Sequence, residues 1–386
     1  PPDEYTGEKE VPRHHSAKER VAPWHCSSTS FMAPYDKREI PNHTMNLGAS
    51  VRVNKCGVCV LMTLMVMVVL LYKYGNNTEF KREVVSLRSL LSAAIDAAER
   101  GGRVVYDIRE AATLHEQSKG KTKEGANDPV TDGDIKSHLT MFFSLQKSFP
   151  AIKIISEEHS LNDVDVSSVS PAALLHPEVT AAIPEDQMVP AGDIRVWIDP
   201  LDATQEYTEN LREYVTTMVC VAVRGHPTIG VIHKPFSKST AWAWVGKGVS
   251  PALRQTGNQG VVKNDIAHII VSRSHAGDVK TVATAAFGEK TEVIPAGGAG
   301  YKTLAVVEGK ADAYVHSTAI KKWDLCAGNA VLFALHGNMT TLGGDPLDYG
   351  SQEEYKNEGG VLATLTNHTY YLQKLQVLAG KAAKAA

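Results

Sequence analysis

Hydrophobic and polar positions divide the chain into an apolar run near its start and a longer region of alternating elements behind it. Residues 56–72 carry no charge and lie between Lys55 and Lys73. As a helix, these seventeen residues would span about 26 Å, close to the roughly 27 Å apolar core of an endoplasmic reticulum bilayer. No small-x-small cleavage site follows. The pattern predicts an uncleaved transmembrane signal anchor over 56–74, with a buried core helix and a cleaved signal peptide as alternatives.

The segments on either side of this run differ in character. Residues 1–55 are charged, contain Pro and His, and lack a sustained apolar period, which predicts a disordered cytoplasmic tail. If translation begins at Met45, residues 1–44 would be an artefact of gene prediction. Basic residues on both sides leave the orientation of the run open. Three sequons after it permit a lumenal, glycosylated C-terminal part: Asn76, Asn338 and Asn367.

Behind the apolar run, the periodicity predicts several elements. Apolar residues recur at helical spacing over 81–100, and Gly101-Gly102 is expected to end that helix. A second helix is predicted over 134–148, before Pro150, and a buried strand over 152–155. Residues 158–193 are rich in Ser, Pro, Asp and Ala without clear periodicity, which predicts an exposed insertion.

The remainder alternates between strand and helix patterns, which predicts a layered α/β fold. Strands are predicted over 194–198, 216–224, 228–233, 241–245, 267–271 and 311–315. Helices are predicted near 276–287, 300–308 and 325–335.

Composition narrows the classes of protein. The chain has 386 residues, of which 43% are hydrophobic, which argues against global disorder and against a multi-span membrane protein. Its formal net charge of -3 gives no bulk attraction to a nucleic acid polymer. Five cysteines are too few and too scattered to predict a disulfide framework, so stability is expected to come from a packed core.

Acidic residues stand at predicted strand ends and turns. Taken singly, each could cap a helix, form a turn or face solvent. Together they follow apolar strands, where ligands of open α/β sheets gather. Two like charges about 4 Å apart cost on the order of 4 kcal/mol, so such a cluster needs protons or cations. Oxygen ligands without an accompanying Cys or His cluster predict Mg²⁺ rather than zinc. These residues are Asp132 in TDGD, Glu157 and Glu158 in SEEH, Asp199 and Asp202 in WIDPLDAT, and Asp324 in KKWD.

In this order, the motifs resemble those of the lithium-sensitive, magnesium-dependent phosphomonoesterases, a family that includes inositol monophosphatase and the bisphosphate nucleotidases. The similarity covers roughly residues 80–378, and the segments GVIHKPF, VSRSHAG, IPAGGAGYKTL and IKKWDLCAGNA resemble the Golgi-type nucleotidase branch. The resemblance implies an αβαβα sugar-phosphatase fold in a lumenal domain over 80–386. Its metal-binding half would lie at about 80–245 and its substrate half at about 246–386.

The resemblance also implies a site with two or three Mg²⁺ ions. Asp132 and Thr204 would orient and deprotonate the attacking water, and Asp132 would also bind a third, weaker ion. Ala203 stands where most of the family has Gly, although the Golgi-type branch resembles this chain there. The other implied ligands are Glu157, Asp199, the Leu201 carbonyl, Asp202 and Asp324.

For the substrate, the resemblance implies adenosine 3',5'-bisphosphate, a by-product of sulfotransferases, cleaved to AMP and phosphate in the Golgi lumen. Li⁺ would compete at a Mg²⁺ site, and a homodimer is expected. An inositol phosphate phosphatase with the same metals and a catalytically silent membrane scaffold are the alternatives. The residues implied to contact the nucleotide are Ser272, His275, Gly298 and Lys302.

Overall fold

The computed structural model describes residues 55–77, 83–121, 127–158, 166–256, 266–273 and 279–385. The chain divides into two units, 1–70 and 71–386. Helix α1 (Lys55–Asn77) carries exposed apolar side chains over 58–71. Among the helices of the described ranges, none has both the length and the apolar character needed to cross a membrane, so the anchor predicted over 56–74 is not confirmed. The tail predicted over 1–55 lies, apart from its last residue, outside the described residues.

The described elements of the second unit alternate between helices and short strands. Helices α2 to α10 are Leu87–Glu110, Asp132–Ser148, Pro177–Ala182, Thr204–Thr208, Pro251–Thr256, Val279–Phe287, Ala299–Val307, Lys322–Ala334 and His368–Ala385. Strands β1 to β9 are Val84–Ser86, Gln117–Lys121, Asn127–Val130, Lys153–Ser156, Met188–Pro190, Ile194–Asp202, Thr216–Val223, His226–Lys234 and Ser239–Trp244. Strands β10 to β17 are Gly248–Val249, His268–Ser272, Glu292–Ala296, Ala313–His316, Ile320–Lys321, Asn338–Thr340, Lys356–Asn357 and Val361–Thr364.

Two main sheets organise these elements into five layers. The first sheet has the order β10-β9-β8-β7-β6-β4, in which only β4 and β6 pair in parallel. The second has the order β12-β11-β13-β17-β15, with β11 parallel to both of its neighbours. Helices α8 and α9 contact both sheets, α2 and α3 cover the outer face of the first, and α7 and α10 cover the outer face of the second. The layered α/β fold is confirmed.

Strand β7 shows why the strands of the first sheet are runs of apolar residues without polar alternation. Met218 and Cys220 pack into the core shared with α8 and α9, whereas Val219 and Val221 pack against α2. Successive side chains of a strand point to opposite faces, and helices cover both faces of this sheet. Both sets are therefore apolar, and no polar alternation marks the strand.

The prediction that Gly101-Gly102 ends the first helix is wrong, because α2 continues to Glu110. Both glycines are buried, Gly101 where α2 meets α3 and Gly102 where α2 meets β8. A Cβ at Gly101 would collide with the Met141 sulfur atom on α3, and one at Gly102 would collide with the ring of His233 on β8. These glycines permit close packing within the helix, which offsets their low helix propensity.

The prediction of an exposed insertion over 158–193 is wrong for its later part, which the structure describes from residue 166 onward. Residues 177–182 form α4, and β5 pairs antiparallel with β1. Val179, Ile183 and Val189 are buried in the same core as α2. The apolar residues did not indicate an element, because α4 and β5 are only six and three residues long and each contributes few of them.

The cysteine count did not predict the covalent bond that joins two of the layers. Cys220 on β7 and Cys326 on α9 form a disulfide with a Cα–Cα distance of 5.6 Å, and both residues are buried. They lie 106 residues apart, so only the folded topology brings them together.

His233, near the end of β8, is buried in a chain of hydrogen bonds. The Thr240 hydroxyl donates to the Glu99 carboxylate at 2.7 Å, so it accepts from Nδ1 of His233 at 2.9 Å. Burial lowers the pKa of His233 from 6.5 to about 4, against the attraction of Glu99. The folded protein therefore holds this imidazole neutral.

We predict a stability loss in acid that depends on His233. Between pH 6.5 and about 4 the unfolded chain binds a proton that the folded chain excludes, so the free energy of unfolding falls as the pH decreases through this window. The loss at pH 4 is about 3 kcal/mol. His233→Asn, whose amide can still donate to Thr240, should flatten this dependence in chemical denaturation series. Parallel wild-type and variant curves would contradict the assignment.

Candidate active site

A cavity of about 380 Å³ opens where β6 ends and the N-termini of α8 and α9 approach it. Glu157 follows β4, Asp199 lies in the last part of β6, and Asp324 lies in the first turn of α9. Carboxylate oxygens of these three residues lie within 4.8 Å of one another. The structure thus brings together three of the acidic residues that the sequence singled out.

The electrostatics of this cluster favour a bound cation. Burial raises the pKa of Asp199 well above its usual range, and the carboxylates of Glu157, Asp202 and Asp324 raise it further. Burial also raises the pKa of Asp324, again reinforced by Glu157. Protons or positive charge must therefore compensate these groups near neutral pH. Three oxygen ligands without a Cys or His fit a hard divalent cation.

Asp202 lies beside the cluster but has a different set of partners. Its Oδ1 accepts the Ala299 amide at 3.0 Å, and its Oδ2 accepts the Gly300 amide at 2.8 Å and the Thr216 hydroxyl at 3.0 Å. Burial raises the pKa of this carboxyl, while Lys302 and the amides oppose the rise. Asp202 therefore fixes the N-terminus of α8 against the end of β6.

Thr204, the first residue of α5, forms a pair with a buried carboxylate that the sequence interpretation did not select. Its hydroxyl lies 2.8 Å from Oδ1 of Asp134 and 3.1 Å from the Leu201 carbonyl oxygen. Oδ2 of Asp134 accepts the amide and hydroxyl of Thr131, the N-cap of α3, both at 2.7 Å. Burial raises the pKa of Asp134 to about 7, and Glu157 adds to the rise.

Asp132 has a different set of contacts, and the catalytic role that the resemblance implies for it stays a prediction. Asp132 is partly exposed, and its Oδ2 lies 2.8 Å from Lys136 and 3.0 Å from His115. Those two hydrogen bonds lower its pKa. In the TDGD motif the first acidic residue faces outward and the second faces Thr204, because α3 begins at Asp132 and turns between them.

Ala203, which stands where most of the family has Gly, adopts the left-handed conformation with φ 71° and ψ 46°. An L-residue pays roughly 1–2 kcal/mol in this region. The turn it makes ends β6 and starts α5, which places Thr204 next to the Leu201 carbonyl.

The predicted nucleotide contacts are placed in part. Ser272, Gly298 and Lys302 line the cavity, whereas His275 lies outside the described residues. Lys302 is buried, with Nζ 3.4 Å from the Ala296 carbonyl oxygen and 5.3 Å from the ring centre of Tyr314. Burial lowers its pKa to about 8, opposed by nearby carboxylates.

Two further residues were missed. Lys119 on β2 lies 3.3 Å from Glu157 and also contacts Glu158. Although burial disfavours the charge of Lys119, these carboxylates raise its pKa.

The Tyr314 hydroxyl is buried in the cavity wall without a hydrogen-bond partner among the described residues. Burial, with Asp324 and Asp202, raises its pKa well above 10, so it remains a donor. No sequence motif marks either Lys119 or Tyr314. Each is identified only by its position in the folded structure, next to the acidic cluster or in the cavity wall.

We predict that Asp134, rather than Asp132, is required for activity. Asp134→Asn keeps an oxygen for the Thr204 hydroxyl but loses the charge, and we expect kcat to fall by about 10²–10⁴. Asp132→Asn removes only exposed ion pairs, which contribute about 0–1 kcal/mol to stability, and should leave kcat within about twofold. Phosphate release under the same conditions compares the two. Equal losses would support the role that the resemblance implies for Asp132.

A second prediction concerns Gly298, whose φ of +65° precedes α8. A Cβ there would lie 2.7 Å from the Tyr214 carbonyl oxygen and 2.9 Å from Oδ2 of Asp202. Gly298→Ala should therefore displace Asp202, lower the free energy of unfolding by about 1–3 kcal/mol and reduce activity at least tenfold. Gly192→Ala, where a Cβ meets nothing within 4 Å, is the control. Similar behaviour of the two variants would contradict this account.

Comparisons with known proteins agree with the geometry. A model of the inositol monophosphatase family matches residues 86–377. Golgi-resident adenosine 3',5'-bisphosphate 3'-phosphatase of Mus musculus is 51% identical over 298 residues, which cover 75% of this chain and 82% of that protein. Inositol monophosphatase 3 of Danio rerio is 49% identical over 302 residues, covering 76% and 86%. The crystal structure of CysQ from Bacteroides thetaiotaomicron, a bacterial member of the family, aligns with a TM-score of 0.52 at 22% identity, covering 72% and 98%. The chain belongs to the inositol monophosphatase family.

Proposed function

We propose that the protein hydrolyses the 3'-phosphate of adenosine 3',5'-bisphosphate to AMP and phosphate, using Mg²⁺. The observation that carries this proposal is the group formed by Glu157, Asp199 and Asp324, whose oxygens lie within 4.8 Å in a cavity of about 380 Å³. Its volume falls in the range of small-molecule sites. The mouse relative named for this reaction is 51% identical.

The residues around the cluster fit the hydrolysis of a phosphate monoester. Glu157, Asp199 and Asp324 would hold Mg²⁺, with Asp202 and the Leu201 carbonyl beside them. Bound Mg²⁺ would supply a water of lowered pKa and neutralise charge on the phosphate.

The pair formed by Thr204 and Asp134 is suited to proton transfer. Because the Thr204 hydroxyl donates to Asp134, its remaining lone pairs can accept a proton from a water molecule. Asp134 can take up the Thr204 proton as Thr204 accepts one from the water, so the proton passes to a buried carboxylate. The raised pKa of Asp134 suits a base that works near neutral pH.

Lysines in the cavity wall support a substrate with more than one phosphate. Lys302 lies beside Asp202 at the N-terminus of α8, and further lysines stand on β2, β14 and β16. A second phosphate needs cationic donors in the cavity in addition to the metal site. The lysines that line the cavity are Lys121, Lys302, Lys321 and Lys356.

An inositol phosphate is the second candidate substrate. The relative from Danio rerio named inositol monophosphatase 3 is 49% identical, almost as similar as the mouse nucleotidase. The same carboxylates and the same Thr204–Asp134 pair would serve that reaction, because the chemistry at the phosphate is the same.

We also propose that the protein works in the Golgi lumen, where it would remove the sulfotransferase by-product. The mouse relative is named Golgi-resident. A buried disulfide between Cys220 and Cys326 fits an oxidising compartment. Of the predicted sequons, Asn367 is exposed, Asn338 is half-buried, and the side chain of Asn76 is outside the description. Membrane anchoring, glycosylation, lithium sensitivity and a homodimer stay predictions.

Phosphate release by the full-length protein tests the proposal. With Mg²⁺, adenosine 3',5'-bisphosphate should be cleaved with a kcat/KM at least tenfold above that for inositol monophosphate, and chelation should abolish both activities. Asp199→Asn, which removes the most buried ligand, should lower kcat by about 10³ or more. The reverse substrate order would favour the inositol phosphatase. Nucleotide binding without phosphate release would indicate a silent scaffold.

A further inference from the structure

The disulfide between β7 and α9 joins two elements that border the proposed metal ligands. Cys326 is two residues after Asp324 in α9, which is about 3 Å along the helix axis. Cys220 is the register partner of Trp197 on β6, two residues before Asp199. One covalent bond therefore joins the helix that carries Asp324 to the strand next to the one that carries Asp199.

The same point of the sheet holds α9 by close packing as well. Gly230 on β8 is the register partner of Cys220, and a Cβ at Gly230 would collide with the Ala327 carbonyl oxygen. The sheet thus contacts two consecutive residues of α9, Cys326 through the disulfide and Ala327 through its backbone. In a helix, the position of one residue along and around the axis fixes that of a residue two positions earlier, which lies about 3 Å away along the axis and about 200° around it. Holding Cys326 and Ala327 against the sheet therefore fixes where Asp324 lies along the axis and in which direction it points.

The Asp324 carboxylate accepts the Lys321 amide at 3.1 Å, but this bond lies within the N-terminus of α9 and does not join the helix to the first sheet. The aromatic contacts of α9 near Asp324 fix its position less strictly than the disulfide does. Trp323 packs beside Trp197 at a ring separation of 6.5 Å and stacks on Tyr355 at 5.3 Å. Such ring contacts tolerate displacement by fractions of an ångström, whereas a divalent ion requires ligand distances within about 0.2 Å.

We propose that the Cys220–Cys326 disulfide is a positioning link that holds Asp324 at the distance from Glu157 and Asp199 that tight Mg²⁺ binding requires. The proposal rests on the metal site of the proposed function. The affinity for Mg²⁺ then depends on the state of the two sulfurs. A dithiol breaks the bond by exchange: it donates two electrons, both cysteines become thiols, and the dithiol becomes a disulfide.

Mg²⁺ titration of the metal-free, full-length protein by calorimetry, without substrate, tests this link. Loss of a group that orients a metal ligand typically weakens metal affinity by about 10- to 100-fold. We therefore expect Cys220→Ala combined with Cys326→Ala to raise the Mg²⁺ dissociation constant about tenfold or more, while saturating Mg²⁺ restores kcat. Val331→Ala, which shortens another buried side chain of α9, should lower the melting temperature and leave Mg²⁺ affinity unchanged.

A second measurement applies if the double variant does not fold. Wild-type protein reduced with dithiothreitol, with both thiols counted by alkylation and mass spectrometry, should show the same loss of affinity, and reoxidation should reverse it. Unchanged affinity in the reduced protein, an equal loss in Val331→Ala, or two free thiols in protein purified from an oxidising compartment would each overturn the link. Wild-type protein that binds no Mg²⁺ would instead overturn the proposed metal site, and the link with it.

Discussion

Mutual repulsion among buried carboxylates is the constraint on which the rest of this structure depends. Each of these groups is compensated by a different partner. Asp202 receives amides of α8, Asp134 receives Thr131 and Thr204, and Glu157 lies next to the ammonium of Lys119. Asp199 is the least compensated, since among the described residues its carboxylate accepts the Leu201 amide at 3.1 Å while four neighbouring carboxylates raise its pKa. A cation at Asp199 is the compensation that the described protein groups do not supply.

The layers of the fold bring these carboxylates together from distant parts of the chain. Strand β6 lies between β4 and β7 in the first sheet, and its end carries Asp199 and Asp202. Helices α8 and α9 lie between the two sheets, and their N-termini face the end of β6. Asp324 accepts the Lys321 amide at 3.1 Å in the first turn of α9, as Asp134 accepts the Thr131 amide in α3. Both carboxylates use helix N-termini, where negative charge is favoured.

The sequence predicted the strands of the first sheet other than β10, because a buried strand is marked by its own residues. Glu157 directly follows one such strand and Asp199 lies near the end of another, so their meeting could be expected. TDGD offers two acidic residues, and only the position of Thr204 in space distinguishes Asp134 from Asp132. The sequence does not show that α2 continues past Gly101, because the Met141 side chain that occupies the space of a Cβ there lies on another helix. Cys220 and Cys326 were likewise separated by too much chain for their bond to be read from spacing.

Overall identity does not distinguish the two candidate substrates. Relatives named for a bisphosphate nucleotide and for inositol monophosphate are 51% and 49% identical to this chain. A nucleotide bisphosphate differs from inositol monophosphate by a second phosphate and an aromatic base. The groups that can recognise that difference are cationic or donor side chains set back from Asp199. Lys321 and Lys356 come from the paired strands β14 and β16, and Lys302 and Tyr314 come from the inner wall. Because Lys302 and Tyr314 are buried, ordering them costs little at the moment of binding. This wall is therefore better placed to select the substrate than Lys321, which is partly buried, or Lys356, which is exposed.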